Sequence, residues 1–329
     1  MKDYLLEMLL CPVCHGALKW NVSGREGEHI QEGEAHCLSC GTTYPVHDGI
    51  PVFLTPDLSR TDLWEQAESG LSRALRASRE LEQALMNVPV DTLNPADQFF
   101  RAMVLEERGR FEETRLLSEA AFRRLYTEEY LRCWQSQTEY VVAELEGKDV
   151  PIVDLASGRG ALAKVLAERL TAPLILTDFS PTVLRRTRRM FETLGRDGNI
   201  DLLAFDARRT PFHDRSVLYM TSNLGLPNVE HPGELLRELR RIVAGDFLAI
   251  SHFYPEDDAA NLSEVGDPSF FVRKLTVQRF HEANWSVAVE NVCESKADPT
   301  PRSNVFQGAV IDRMPVSPTR LEWCVLVAR

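Results

Sequence analysis

Three short apolar segments between residues 151 and 206 each end in an aspartate. The segments read "PIVD", "PLILTD" and "IDLLAFD", and their acids are Asp154, Asp178 and Asp206. A stretch with helical spacing of apolar residues follows each of the first two segments. Strand and helix in alternation predict an α/β fold, a mostly parallel sheet with helices on both faces. Because parallel strands end at the same edge of a sheet, the three acids are expected to lie together.

The turn "ASGRG" (156–160) separates the first of these strands from its helix. Gly158 and Gly160 allow backbone and ligand to approach closely, and the following helix begins with free N–H groups. Asp178, 24 residues after Asp154, can accept hydrogen bonds from both hydroxyls of a ribose, and Asp206 can accept one from an adenine amino group. Each acid alone could equally be a helix cap or a solvated turn residue. Together they predict an adenosine-type cofactor.

A nicotinamide-binding dehydrogenase domain would share this order of strands and helices. Its fingerprint G-x-G-x-x-G is absent from the sequence, and no catalytic set for hydride transfer follows, so it is the weaker alternative. The alternation continues through "SVLYMTSNLGLPN", "GELLRELRRIV" and "DFLAISHFY". Two last strands, "WSVAVENVCES" and "LEWCVLVAR", are expected to form an antiparallel edge of the sheet.

Two Cys-x2-Cys pairs lie near the start of the chain: Cys11 with Cys14, and Cys37 with Cys40. The 22 residues between the pairs read as a polar hairpin. Four thiolates on two such turns complete a tetrahedral zinc site with no open position. The sequence therefore predicts a structural zinc site, with a redox-active or coincidental set of thiols as the alternative. His15 and His36 adjoin the cysteines and could replace a ligand, but four thiolates suffice.

The formal net charge of −12 is concentrated in the front half of the chain. Residues 1–56 carry 3 basic and 7 acidic side chains, residues 57–150 carry 12 and 19, and residues 151–329 carry 22 and 23. A surface that binds phosphates is normally basic, so this distribution argues against a nucleic-acid substrate. The sequence offers neither a signal-peptide cleavage site nor a run of roughly 20 apolar residues. We expect a cytoplasmic protein, where paired cysteines are more often metal ligands than disulfides.

The region from Thr61 to about Gly147 is predicted to be helical. Leu71, Ala74, Leu81 and Leu85 have helical spacing, and a similar pattern continues with breaks near prolines and a glycine. The aromatic residues of this region are expected in cores or interfaces, although one or two could cap a pocket on the next domain.

From about residue 150 to the end, the chain resembles the class I S-adenosylmethionine-dependent methyltransferases. "VDLASGRG" resembles their glycine motif, with Ala156 in place of the usual first glycine; "LTDFS" resembles their ribose motif and "FDARRTPFHDRSV" their adenine-edge motif. The usual "LKPGG" turn before the fifth strand is shortened to "VAGD". The resemblance implies a Rossmann-like, seven-stranded sheet that binds S-adenosylmethionine. The implied cofactor-binding residues are Asp154, Ala156, Ser157, Gly158, Gly160, Asp178, Phe179, Asp206, Ala207, Thr221, Asn223 and Leu224.

The first 56 residues resemble the small zinc-ribbon proteins that activate tRNA, rRNA and release-factor methyltransferases as partners. "YLLEMLLCPVCHGAL" and "CLSCGTTYPVHDGIPVFL" carry the resemblance. It implies a stabilising or docking module that performs no chemistry. We expect a zinc ribbon at 1–56, a helical linker or cap at 57–148 and a cofactor-binding methyltransferase domain at 149–329. A Cys11→Ser change is expected to disrupt the ribbon and to leave cofactor binding largely intact.

The expected function is S-adenosylmethionine-dependent methyl transfer to an acceptor that the sequence does not identify. In-line transfer needs a base only when the acceptor must lose a proton. Asn223 after the fourth strand, with His252 and Tyr254 after the fifth, are the candidate catalytic residues. A histidine at a strand end can also be a hydrogen-bonded residue of the pocket wall.

A small molecule is the favoured acceptor, with RNA and protein as alternatives. The run "RRTRR" (185–189), with Arg208 and Arg209, suggests RNA binding, but a solvated helix face beside the acidic front half explains it as well. A zinc ribbon fused to a methyltransferase also occurs in rRNA methylases. The second hypothesis is a non-catalytic cofactor-binding protein whose ribbon recruits a partner. A homodimer is left open.

Overall fold

The computed structural model of the protein describes residues 1–55, 70–195, 198–311 and 315–329. The strands in this part of the chain are β1 Leu18–Glu26, β2 His29–Cys37, β3 Thr43–His47, β4 Ile50–Phe53, β5 Ile152–Asp154, β6 Leu174–Asp178, β7 Ile200–Phe205, β8 Val217–Asn223, β9 Val243–Phe253, β10 Val287–Ala297 and β11 Thr319–Ala328. The α-helices are α1 Tyr4–Met8, α2 Gly70–Ala77, α3 Arg79–Met86, α4 Pro95–Glu107, α5 Phe111–Leu125, α6 Glu128–Leu145, α7 Ala161–Arg169, α8 Pro181–Thr193, α9 Pro232–Ile242, α10 Ala259–Leu262 and α11 Arg273–Glu282.

Seven strands form the expected methyltransferase sheet in the order β7-β6-β5-β8-β9-β11-β10. The first five of these are parallel to one another, and β11 is antiparallel to both of its neighbours. The predicted sheet and its antiparallel edge are confirmed. The strand order reverses at β5, which has β6 on one side and β8 on the other. Such a reversal opens a crevice at the carboxyl ends of the strands, where α/β proteins bind ligands.

Helices cover both faces of this sheet, as the alternation of strand and helix predicts. Leu235 and Leu239 of α9 pack on one face, together with Phe280 of α11. Val141 of α6 and Leu166 of α7 belong to the cluster on the other face. The start of β9 differs from the expectation, because α9 ends at Ile242 and "VAGD" forms the beginning of the strand instead of a turn.

The zinc ribbon and the methyltransferase sheet are continuous. Strands β1 to β4 pair antiparallel in chain order, and β1 and β2 form the predicted polar hairpin. Strand β4 then pairs in parallel with β7, with Val52 opposite Ala204 and Phe53 opposite Phe205. One sheet of eleven strands results within the described residues. The first four strands therefore extend the sheet that contains β5 to β11.

The first residues of the chain are also fixed to the methyltransferase sheet. The Tyr4 hydroxyl and the Lys2 backbone N–H donate hydrogen bonds of 2.8 and 2.9 Å to the carboxylate of Asp201 on β7, which is 2% exposed. The segment after α1 runs beside the loop that follows β7, where the Leu10 N–H donates to the Pro211 carbonyl at 2.7 Å. The ribbon thus contacts β7 and the loop that follows it.

The region expected to be helical consists of α2 to α6 and short turns in the described residues. Its predicted beginning, up to residue 69, and the predicted domain border at 56/57 lie outside the residues that the structure describes. Phe100 and Leu105 of α4 pack with Val305 and Phe306 from the segment before β11. The buried Asp97 carboxylate accepts the Asn304 N–H at 3.1 Å, which ties the cap to this segment.

Among the described helices, none combines the length and apolar character needed to span a bilayer.

Candidate cofactor site and zinc site

A cavity of about 700 Å³ opens at the carboxyl ends of β5, β6 and β7. Its volume lies within the range of small-molecule and cofactor sites. The lining residues come from the ends of strands β5 to β9 and the five segments that follow them: Leu155, Ala156, Gly158, Arg159, Thr177, Asp178, Phe179, Val183, Phe205, Asp206, Ala207, Arg208, Pro227, Asn228, Val229, Glu230, His231, Pro232, Asp267, Phe270 and Phe271. The sequence predicted six of these residues, namely Ala156, Gly158, Asp178, Phe179, Asp206 and Ala207.

The turn after β5 is built from residues with left-handed backbone. Ala156, Gly158 and Gly160 have φ angles of 52°, 53° and 71°. A Cβ on Gly158 would meet only the Ala156 carbonyl oxygen at 4.0 Å, so its backbone faces open space in the cavity wall. Gly160 does not line the cavity. A Cβ at Gly160 would lie 3.3 Å from the Thr187 side chain, so the glycine allows the start of α7 to pack closely against α8.

Asp178 at the end of β6 lies in the cavity wall. Its carboxylate accepts the Gly158 N–H at 3.1 Å and the Ser180 N–H at 2.9 Å. These two bonds fix the side chain between the glycine turn and the start of α8. A carboxylate has about four lone-pair positions, so Asp178 can accept further bonds from a ribose.

Asp154, at the end of β5, is buried behind the cavity wall with an exposed fraction of 1%. The Thr221 hydroxyl donates to its carboxylate at 2.7 Å, which joins the ends of β5 and β8. Burial raises the pKa of Asp154 to about 6, against the opposing effect of the Thr221 hydrogen bond. The Ser157 hydroxyl donates to the Asp154 carbonyl at 2.8 Å. Asp154, Ser157 and Thr221 hold the turn in shape and do not line the cavity.

Asp206 follows β7 and is held by Arg208, two residues further along the chain. The Arg208 backbone N–H and Nε donate to one carboxylate oxygen at 2.8 and 3.0 Å, and Nη2 donates to the other at 2.7 Å. Both side chains line the cavity, with exposed fractions of 5% and 13%. The Glu230 carboxylate lies 3.7 Å from Nη1 of Arg208. From the sequence, Arg208 was considered only as a candidate RNA contact, and no spacing pattern indicated its pairing with Asp206.

The three residues predicted to be catalytic lie outside the lining of the cavity. The Asn223 side chain accepts a hydrogen bond from the Trp134 indole of α6 at 3.2 Å. The His252 ring lies 4.9 Å from the Trp323 ring, and burial lowers its pKa to about 4. Tyr254 is buried and its N–H donates to the Phe271 carbonyl at 2.9 Å. Leu224, predicted to contact the cofactor, is also outside the lining and has a φ of 54°.

The far end of the cavity was missed by the sequence analysis. It consists of the loop 227–232 after β8, together with Asp267, Phe270 and Phe271 in the segment after β9. Phe270 and Phe271 are buried, whereas Asp267 is exposed. Loops carry no periodicity that would mark them as part of a site, so no pattern in the sequence indicated these residues.

The helical cap contacts the glycine turn through charged side chains. Arg159 forms an ion pair with Glu106 of α4, and its guanidinium carbon lies 5.3 Å from the centre of the Phe99 ring. Arg186 of α8 lies 3.3 Å from Glu107. Two arginines near the cavity are therefore neutralised by acids of the cap. Arg186, a member of the run "RRTRR", thus forms an internal ion pair, which is neither the RNA contact nor the solvated helix face considered from the sequence.

The four predicted metal ligands come together at the tip of the ribbon. The Sγ atoms of Cys11, Cys14, Cys37 and Cys40 all lie within 4.8 Å of one another. Two of the sulfur pairs are 3.5 and 3.6 Å apart, which is close to the roughly 3.8 Å expected of a tetrahedron with Zn–S bonds of about 2.3 Å. The geometry fits a closed zinc site.

The groups around these thiols agree with a structural role for the metal. The Ser39 and Cys40 N–H groups point to Cys37 Sγ at 3.4 and 3.5 Å, and the Tyr44 hydroxyl lies 3.2 Å from Cys11 Sγ. His36 is engaged with Thr43 at 3.1 Å, so four thiolates remain the fitting ligand set. The turn after Cys14 has a left-handed residue at His15, with φ of 57°.

Fold and site define the class of S-adenosylmethionine-dependent methyltransferase domains joined to a zinc ribbon. The sequence profile of a family described as "Methyltransferase domain" matches residues 152–246, and that of "Trm112p-like protein" matches residues 2–49. The chain therefore carries a methyltransferase domain and a Trm112p-like zinc ribbon. S-adenosylmethionine is the cofactor and zinc the structural metal that these domains take.

Curated relatives include ubiquinone/menaquinone biosynthesis C-methyltransferases UbiE. The protein from Pseudoalteromonas translucida is 31% identical over 131 residues, which is 39% of this chain and 51% of that protein. The protein from Ectopseudomonas oleovorans is 33% identical over 95 residues, or 28% of this chain and 55% of that protein. The chain thus spans about half the length of these relatives.

Solved structures also resemble the chain. The YcgJ protein from Bacillus subtilis covers 59% of this chain and 97% of its own length, with a TM-score of 0.47 and 15% identity. A SAM-dependent methyltransferase from Aquifex aeolicus covers 58% of this chain and 88% of its own length, with a TM-score of 0.40 and 15% identity.

Proposed function

We propose that the protein is a methyltransferase that transfers the methyl group of S-adenosylmethionine to a small-molecule acceptor bound in the same cavity. The observation that carries the proposal is the common cavity at the ends of three adjacent strands. The glycine turn, Asp178 and Asp206 all line it. The UbiE relatives, which are C-methyltransferases, support the same reaction class.

The cofactor supplies a methyl group activated on a sulfonium, so the chain mainly has to bind and align. Asp178 is placed to accept the ribose hydroxyls, and Asp206 with Ala207 to hold the adenine edge. The left-handed turn leaves the backbone of Gly158 accessible to the amino-acid end of the cofactor. Asp154 and Thr221 support this turn from behind. An acceptor held about 3–3.5 Å from the methyl carbon needs little further catalysis.

The acceptor is proposed to enter at the end of the cavity formed by the loop 227–232, Phe270 and Phe271. The two buried phenylalanines offer apolar surface to a planar or aliphatic molecule. His231 also lines this end and is exposed. It is a better candidate than His252 for a group that takes a proton from the acceptor, because His252 lies outside the lining.

A small molecule is favoured over RNA by the charges of the cavity. Four carboxylates line it, those of Asp178, Asp206, Glu230 and Asp267, against two guanidinium groups. Both arginines already have carboxylate partners. A phosphate chain would therefore approach an acidic wall. The relatives act in ubiquinone and menaquinone biosynthesis, which is also small-molecule chemistry.

The second candidate function is a non-catalytic protein whose ribbon recruits a partner. The pairing of β4 with both β3 and β7 argues against it, because the backbone of β4 is already paired on both sides within this chain. We propose instead that the ribbon serves its own methyltransferase domain. A homodimer has no support among the described residues and is not part of the proposal.

The proposal is tested by incubating the full chain with S-adenosylmethionine labelled in the methyl group and with fractionated cell extract. Label in the small-molecule fraction is the expected result. Label in RNA or protein would overturn the choice of acceptor, and no transfer to any fraction would favour the non-catalytic alternative.

Cofactor binding is measured separately by calorimetric titration of the wild type and of Asp178→Ala. We expect the variant to lose at least about 30-fold in affinity, because two ribose hydroxyls lose their acceptor. Asp257→Ala is the matched control, since Asp257 is an exposed acid outside the cavity lining. Equal affinity of the Asp178 variant and the wild type would contradict the assigned site.

A further inference from the structure

We propose that Glu106 of the helical cap is a positioning residue that neutralises Arg159 of the glycine turn and thereby lets the cavity bind the positively charged methyl donor. The inference rests on the proposed function and concerns how the site tolerates the sulfonium charge of S-adenosylmethionine. It starts from one ion pair, whose two members belong to different parts of the chain.

Two guanidinium groups line the cavity, and their charges are balanced in different ways. Arg208 is paired with Asp206, which is itself part of the lining. The partner of Arg159 is Glu106 of α4, which lies outside the lining. The charge balance of the cavity wall therefore depends on an acid that the cap supplies.

The contact of Arg159 with the cap is partly shielded from water. Nη2 of Arg159 donates to Oε2 of Glu106, and the guanidinium carbon lies 5.3 Å from the centre of the Phe99 ring. The Glu106 side chain is 15% exposed and that of Arg159 is 31% exposed. Partly buried charges are screened less by salt and water than exposed ones. Among the described residues, no other carboxylate pairs with Arg159, so loss of the Glu106 charge leaves this guanidinium uncompensated.

The pKa of a neighbouring lysine reflects both charges. Burial is the main cause that lowers the pKa of Lys164 on α7, and the positive charge of Arg159 lowers it further. The negative charge of Glu106 raises the pKa of Lys164, as do those of two other acids, Glu119 and Glu168. A cation near this ion pair is therefore repelled by Arg159 and attracted by Glu106, and the two effects offset each other.

The methyl donor and its product differ in the charge that such a pair would affect. S-adenosylmethionine carries a sulfonium, whereas S-adenosylhomocysteine has a neutral thioether and otherwise lacks only the methyl group. An uncompensated guanidinium in the cavity wall repels the sulfonium, and at the effective dielectric constant of a partly buried site it weakens binding of the cation by about 5-fold or more. Loss of cap packing alone would weaken both ligands alike. The ratio of the two affinities therefore separates the charge effect from a structural one.

The test is the ratio of dissociation constants, S-adenosylmethionine over S-adenosylhomocysteine, measured by calorimetric titration of the full chain without acceptor. Glu106→Gln keeps the shape of the side chain and removes its charge, so it should raise this ratio at least about 5-fold over the wild type. Arg159→Gln leaves Glu106 unpaired and should lower the ratio at least about 2-fold. The double variant restores the charge balance and should return to within about 2-fold of the wild-type ratio.

Glu107→Gln is the matched control. It removes the same charge from the next residue of α4, whose partner Arg186 lies outside the cavity lining. The control should change the ratio less than about 2-fold. A change in the control as large as that in Glu106→Gln would contradict the role of Arg159.

Both ligands are titrated into the same preparation, so a partly unfolded variant changes the number of sites and not the ratio. If one single variant does not fold, the sign of the change in the other decides. A wild-type ratio in the single variants, or a change of the same sign in both, would overturn the proposal even if both affinities fell. Failure of the wild type to bind either ligand would instead overturn the proposed function, and this inference with it.

Discussion

His252 shows how the surroundings of a residue decide its role. The centre of its ring lies 4.9 Å from that of Trp323 and 6.2 Å from that of Tyr130, and its Nδ1 has no hydrogen-bond partner in the described part of the chain. Burial lowers its pKa to about 4. A general base works best with a pKa near the operating pH. Among the described residues, these surroundings favour a packing role for His252 within the aromatic cluster under α6.

We expect His252→Phe to make the protein less sensitive to acid. The unfolded chain protonates this histidine near pH 6.5 and the folded protein only near pH 4, so the wild type loses stability as the pH falls through this range. Relative to the wild type, the variant should gain about 2 kcal/mol in free energy of unfolding between pH 7 and pH 5. Urea titrations at the two pH values measure the difference. Parallel pH profiles would contradict the prediction.

Asp154 should give the opposite pH dependence. Burial raises its pKa to about 6 from 3.8, so the folded protein retains a proton that the unfolded chain has already released. The associated stability is present at low pH and is lost as the pH rises through about 6. Asp154→Asn removes the titrating group and with it this pH-dependent loss of stability. The difference in free energy of unfolding, variant minus wild type, should therefore increase by about 1 kcal/mol from pH 5 to pH 7.5. A relative stability that fell with pH, as expected for His252→Phe, would show that the assignment is wrong.

The strand-end acids were predictable because their spacing follows the alternation of strand and helix. The left-handed backbone at Ala156 was harder to predict. A non-glycine residue rarely adopts this conformation, because it costs about 1 kcal/mol or more. The pairing of Arg208 with Asp206 depends on side-chain conformations that a spacing pattern does not contain. The same holds for Phe270 and Phe271, which reach the cavity from an irregular segment.

At the scale of elements, β7 receives contacts from the front of the chain along its whole length. Asp201 near its start accepts bonds from Tyr4 and Lys2, and Phe205 at its end lies opposite Phe53 of β4. The residue after β7 is Asp206. The position of this acid therefore depends on a strand whose outer edge is supplied by the ribbon.

Tyr4→Phe is expected to destabilise the protein by about 1–3 kcal/mol. The buried Asp201 carboxylate loses its 2.8 Å hydrogen bond from the Tyr4 hydroxyl and is left with fewer donors. Chemical denaturation of Tyr4→Phe, Asp201→Asn and the double variant gives the interaction energy between the two side chains. A coupling below about 0.5 kcal/mol would mean that this contact does not fix α1 to β7.

The alternation of strands and helices and the antiparallel edge could be predicted from the sequence, but two other features could not. Strand β9 begins at Val243, where a turn was expected, because Gly245 lets the strand approach the Leu218 carbonyl on β8 more closely than a Cβ would allow. Strand β4 lies near the end of the predicted zinc ribbon, residues 1–56, for which no strand partner in the methyltransferase domain was predicted. Alternating apolar residues predict a strand without naming its neighbour, so the pairing of β4 with β7 was not available from the pattern.

At the scale of the molecule, the zinc site and the cofactor site belong to one sheet. Four thiolates hold the ribbon, β4 connects the ribbon to β7, and β7 leads to Asp206. The ribbon core also shares a hydrophobic cluster with the methyltransferase domain, in which Tyr44 and Phe53 pack with Phe205 and Phe212. The sequence-based expectation that Cys11→Ser would spare cofactor binding does not follow from this arrangement.

Removal of zinc is therefore expected to affect both parts of the chain. Loss of the metal releases the ribbon, and β7 then loses β4, one of its two parallel neighbours. We expect a chelator to lower the midpoint of thermal unfolding and to weaken S-adenosylhomocysteine binding at least about 5-fold. We expect the Cys37→Ser variant to show the same two effects. Cys324→Ser, a buried cysteine far from the cluster in sequence, is the control for loss of a thiol. A zinc-free protein with full ligand affinity would show that the two sites are independent.

Because β4 and β7 belong to one chain, the pairing of the ribbon with β7 does not depend on the concentration of the protein. A ribbon on a separate chain would occupy β7 only in proportion to its concentration and affinity. When both partners belong to one chain, association becomes intramolecular, and the local concentration of the ribbon around β7 does not depend on how much protein is present. Each methyltransferase domain therefore carries one ribbon, and the ratio of the two cannot be changed by altered expression of a second gene product.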